Sequence, residues 1–191
     1  RAPRVWHLER MQKRRKGRIS GVPDLSQLRE EPEVYFEKHR VAVERHDFEA
    51  RVMASWGLIA RGVESIPYLH RMLESESPDA REDAAGAYGW MARNDPSIVD
   101  HLLDALDGES DLQVVDSLVS SLGQLRDRRA IGPLAQIVLS PSTDGDTRHT
   151  AIQSLARIAR RRFDKAADPR GAATAWLASH GHSAPQEDEE R

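Results

Sequence analysis

The sequence predicts an all-α solenoid of stacked antiparallel helix pairs. Three observations point that way. The first is a recurring frame, clearest at Arg81-Glu82-Asp83-Ala84-Ala85-Gly86-Ala87-Tyr88-Gly89. Related segments follow Arg51, Val115 and Arg148, so the aligned positions 51, 81, 115 and 148 are 30, 34 and 33 residues apart. Recurrence in this range marks arrays of stacked two-helix units. The second is the run of small residues Ala84, Ala85 and Ala87, of which 84 and 87 lie three apart on one helical face, letting a neighbouring helix approach closely. The third is punctuation. Ser77-Pro78 and Asp95-Pro96 place a capping side chain directly before a proline that suits the first helical turn.

The elements follow in order. Residues 1–31 read as a basic N-terminal arm that is partly disordered. Arg1, Arg4, Arg10, Lys13, Arg14, Arg15, Lys16 and Arg18 oppose only Glu9 over residues 1–18, and Val5, Leu8 and Met11 form an apolar stripe on a short helix. The chain opens on Arg1, which reads as a trimmed or partial chain. Ile19-Ser20-Gly21-Val22-Pro23 is a loop, and Leu25 to Glu31 a turn of helix. Pro32 starts a capping helix over 32–45, with Val34, Tyr35, Lys38, Val41 and Val43 at partial helical spacing. Asp47 caps a helix over 48–61 that Gly62 closes. Its partner spans 64–74, with Ile66, Leu69, Met72 and Leu73 inward.

The second unit has helices from Pro78 to Arg93 and over 96–107, ended by Gly108. The third has a strongly apolar helix from Asp111, carrying Val114, Leu118, Val119 and Leu122, then the turn Arg126 to Arg129 and a helix over 130–139. Ser140 to Asp146 is a longer loop. The fourth unit opens at Thr147, with Ile152, Leu155 and Ile158 as its seam. Arg160-Arg161-Arg162 suits the negative end of that helix. A short last helix covers 172–179, which ends the repeat domain of residues 32–180. Residues 181–191 read as an acidic disordered tail.

Composition narrows the functional classes. The formal net charge is -3 and there is no cysteine. Global basicity toward nucleic acid, disulfides and thiolate metal sites are excluded, and a cytoplasmic setting is expected. No apolar run reaches the roughly 18–20 residues of a membrane span. Phosphate loops, nucleophile elbows and zinc-protease motifs are absent, so no catalytic residue, cofactor or metal is expected. His180 and His182 lack a third ligand. Asp144 and Asp146 read as turn and capping groups, and Asp100 and Asp104 as a solvated helix face. Trp56 lies five residues after Arg51 and Trp90 nine after Arg81. These read as different faces, with seam packing expected rather than a shared aromatic cage. Trp6 and Trp176 are expected to cover the ends of the stack.

The units resemble the HEAT-repeat family, in particular its short bacterial lyase-type units. The resemblance rests on Asp79, Arg81, Ala84-Ala85 and Ala87-Tyr88-Gly89. It continues through Asp111, Leu122-Gly123 and Asp127, then Arg148, Ala151 and Leu155-Ala156, and covers about residues 47–160. Val115, Leu118 and Ile59 depart from the pattern. The resemblance implies a right-handed α-solenoid whose second helices line a concave wall. It also implies a non-catalytic scaffold for a protein or peptide partner. On that wall fall Tyr68, Arg71, His101, Asp104 and Gln136, whose mixed signs favour a protein partner over a polyanion. Two alternatives accompany this reading. One is a nucleic-acid binder similar to helical-repeat DNA alkylation glycosylases, with Lys13, Arg14, Arg15, Lys16 and Arg18 as anion contacts. The other is a bilin-lyase-type accessory subunit.

Overall fold

Capping chemistry sets where the helices begin. The chain is described by a computed structural model at residues 23–91 and 97–183. It is all-helical, with no strand among the described residues. It divides into two units, Arg1–Asp95 and Pro96–Arg191.

The first unit contains α1 (Pro32–Glu44), α2 (Phe48–Arg61), α3 (Ile66–Leu73) and α4 (Pro78–Met91). A 3-10 turn over Leu25–Gln27 precedes α1, its start held by Asp24, which accepts from Ser26 N–H. Pro32 sits in the first turn of α1, where its missing donor costs nothing. Asp47 caps α2 by accepting from the Ala50 N–H, and Gly62 closes it at φ 59°, a left-handed conformation that glycine enters without strain. A 3-10 turn, Gly62–Ser65, leads into α3, and the buried Ser65 hydroxyl donates to the Leu58 carbonyl at 2.8 Å. Within this unit α2 packs on α1 and α4, and α3 packs on α4.

The buried face of α1 differs from the expected one. Pro32, Tyr35, Phe36, His39 and Ala42 are buried, whereas Val34 is 40% exposed and Lys38 lies in solvent. The valines at 34, 41 and 43 lie one step round the helix from the face that is buried. The true stripe includes a histidine, which enters the interior because an acidic partner waits there. Tyr35 also explains the close approach of α1 to α2. A Cβ on Gly57 would fall 2.1 Å from the Tyr35 ring, so only glycine fits beneath it.

The second unit contains α5 (Ser97–Asp107), α6 (Leu112–Leu125), α7 (Ile131–Leu139), α8 (Gly145–Ala159) and α9 (Pro169–Ser179). Asp111 caps α6 by accepting from the Gln113 and Val114 amides. Val114, Leu118, Val119 and Leu122 are fully buried or nearly so. Each such side chain contributes on the order of 1.5–3 kcal/mol. α6 packs on α5 and α8, α8 also on α7, and α9 on α7 and α8. The α6–α8 approach is close: a Cβ on Gly123 would fall 2.3 Å from the Ser154 hydroxyl.

Two boundaries are corrected. α8 opens at Gly145, not Thr147, because Asp144 is its cap and the Thr147 amide is one of the donors it accepts. α9 opens at Pro169, three residues before the expected start, capped by Asp168 through the Gly171 amide. The expected cap at Asp95-Pro96 lies outside the described residues, as do the arm up to Val22 and the tail from Ala184.

Candidate partner-binding surface

Phe36 on α1 gathers the two side chains that the sequence singled out in the first unit. The Tyr68 ring lies 5.6 Å from the Phe36 ring, tilted at 45°. The Arg71 guanidinium carbon stands 4.3 Å from the Phe36 centroid, on the opposite end of the same turn of α3. Tyr68 is half-buried and Arg71 exposed. Stacking holds the guanidinium by its face, worth about 0.5–1 kcal/mol at an exposed site. Its edge donors are not consumed, since Arg71 has no ion pair and the Tyr68 hydroxyl no hydrogen bond among the described residues. The result is a restrained planar cation beside a free phenol, a geometry that receives a carboxylate bidentately.

A buried ionic group lies three residues further along α1. His39 Nε2 is 2.9 Å from Asp83 Oδ2. A carboxylate only accepts, so Nε2 carries the proton. Arg51 Nε approaches the same oxygen at 2.8 Å, an ion contact without the alignment of a hydrogen bond, and Arg51 Nη1 reaches Asp79 Oδ2 at 2.6 Å. The His39 and Asp83 side chains are each 2% exposed. A His–Asp pair supplies two of the three members of a nucleophilic triad, but here both side chains are enclosed. The group ties α1, α2 and α4 together and is structural. The repeated frame signals Arg51 and Asp79, whereas Asp83, although inside the frame, has no counterpart in the other segments and His39 lies before it.

The remaining predicted residues lie in the second unit. His101 is half-buried on α5, Asp104 is exposed one turn on, and Gln136 is exposed on α7. Lys13, Arg14, Arg15, Lys16 and Arg18 lie outside the described residues. Asp100 forms an ion pair with Arg129, which also donates to Asp127. Arg129 holds the Asp127 carboxyl below its ordinary value of 3.8, chiefly through the side-chain hydrogen bond. Asp144 is likewise lowered, first by its bond from the Thr147 side chain, as befits a capping carboxylate. His180 stacks on Trp176 with ring centroids 4.1 Å apart, and Trp176 also packs on Phe163 at 5.7 Å. No cluster of three or more His, Cys, Asp or Glu able to hold a metal occurs among the described residues.

Trp56 and Trp90 correct the sequence reading. Their rings meet edge to face, 5.4 Å apart. Offsets of five and nine differ by four residues, about one helical turn, so the two positions share a face and are not opposed. Trp56 is 2% exposed, and the pair packs α2 against α4, forming no cage.

The protein is thus an all-helical chain with a polar–aromatic surface patch and an enclosed ionic core. No helix among the described residues is long and apolar enough to cross a membrane. No protein-family model matches the chain, and no curated protein matches it significantly.

Proposed function

We propose that the chain is a non-catalytic interaction module, a solenoid of HEAT-like helix pairs that captures a protein or peptide partner. The Phe36–Tyr68–Arg71 patch carries this reading. Tyr and Arg are the side chains most enriched at binding hot spots, and here both are pre-positioned on a buried ring. An unpaired, stacked guanidinium favours a partner segment bearing a carboxylate beside an apolar or aromatic group. The second unit offers Asp104 and Gln136 as further polar contacts. Arg129 is already engaged by Asp100 and Asp127, which leaves it poorly placed to serve a phosphate backbone.

The test is peptide display against the whole chain, followed by anisotropy titration of the selected peptides. Acidic–aromatic peptides are expected. The paired substitution Tyr68→Ala/Arg71→Ala should weaken them by roughly 30-fold or more, the size of a hot-spot loss of about 2 kcal/mol. Unchanged affinity in the paired variant refutes the assignment of the patch. A salt-sensitive shift of duplex DNA, with no peptide selected, would replace the reading with nucleic-acid binding.

A further inference from the structure

A groove of about 1100 Å³ in the first unit is lined by α1, α2 and the turn that precedes α1. Its floor is apolar, formed by Leu28, Val34, Val41, Ala50 and Met53. Val34 and Met53 are 40% and 41% exposed, among the most exposed large apolar side chains described. Its charged rim is acidic in balance: Glu30, Glu33, Glu37 and Asp47 against Lys38 and Arg45. Glu33 has no ion-pair partner among the described residues. An apolar trough with a negative edge fits a basic amphipathic segment.

We propose that this groove is the seat of the chain's own N-terminal segment, with Val5, Leu8 and Met11 on the floor and the flanking arginines and lysines along the rim. Three features select this occupant. The described structure reaches the groove within a few residues of its start at Pro23, since Gln27 and Leu28 are part of the lining. The segment carries eight basic residues (Arg1, Arg4, Arg10, Lys13, Arg14, Arg15, Lys16 and Arg18) against the single acid Glu9, opposite in sign to the rim. Residues 12–22 span up to about 36–40 Å when extended, ample for the segment to double back. A tether this short supplies an effective concentration on the order of millimolar, so weak contacts suffice.

The absence of cysteine makes the test direct. Leu8→Cys in the full chain takes a nitroxide label, and methyl-labelled methionine provides the readout. Met53 on the groove floor should lose most of its signal relative to the reduced label, while Met72, buried at 2% exposure in the same unit, should be spared. The loss should persist on tenfold dilution and disappear when Val34→Lys puts a charge of the arm's own sign on the floor, with the Met53 methyl still the reporter. A full-strength Met53 signal overturns the proposal. So does broadening that appears only when spin-labelled and isotope-labelled chains are mixed, which would seat a second copy in the groove.

Discussion

At Asp83 one carboxylate serves two buried partners, the imidazole of His39 and the guanidinium of Arg51. Such groups carry a heavy desolvation cost, and removing the Asp83 carboxylate leaves His39 enclosed without its acceptor and Arg51 held by Asp79 alone. Asp83→Ala should therefore destabilise the first unit by about 3–5 kcal/mol, read as a lowered denaturant midpoint with the Trp56–Trp90 pair as the fluorescent reporter. A loss below about 1 kcal/mol would show that the cluster is dispensable. Residue-level legibility divides here. Arg51 and Asp79 were marked by a repeated frame. His39 was not, because a histidine on an apolar stripe carries no local signal of the carboxylate 44 residues away that draws it inside.

At the scale of elements, the helix boundaries were the most readable part of the chain. Asp47 and Asp111 announced α2 and α6 because an acceptor side chain ahead of an apolar run satisfies amides the helix leaves open. The same signal places the start of α9, since Asp168-Pro169 repeats the cap-plus-proline pattern of Ser77-Pro78, whereas the apolar residues alone point three residues later. The misread stripe of α1 has a different origin. Branched apolar residues at 34, 41 and 43 outweighed Phe36 and Ala42 locally, and only packing against α2 decides which face turns in. Asp168→Ala should cost about 1 kcal/mol through loss of the Gly171 bond. Slowed or unchanged amide exchange in the first turn of α9 would contradict the capping role.

For the whole molecule, acid is the informative perturbant. Asp24, Asp127 and Asp144 are all held below the ordinary 3.8, the first chiefly by the Ser26 hydroxyl, the others by Arg129 and Thr147. A carboxyl with a depressed folded value stabilises the fold above its unfolded value and loses that contribution as pH falls through the folded one. Denaturant midpoints should accordingly be level from about pH 7 to pH 5 and decline below about pH 4. The paired substitution Asp127→Asn/Asp144→Asn should lower stability at neutral pH and flatten the acid limb, so that variant and parent converge at low pH. Parallel curves would mean these carboxylates do not drive the decline. Function was far less legible than fold at this scale. A binding surface is defined by which side chains from separate helices are left unpaired, and spacing along the chain does not record that.

Arg81 and Arg148 occupy the same position in the frame and do the same thing. Arg81 donates to the carbonyls of Ser75 and Glu76, and Arg148 to those of Ser140 and Thr143. Each guanidinium thus laces the connector before its helix onto that helix, although the connectors differ in length and composition. At these two places the connector and the helix that follows it are one tied piece, so a graft that moved either helix without its connector would leave that guanidinium with no carbonyls to hold.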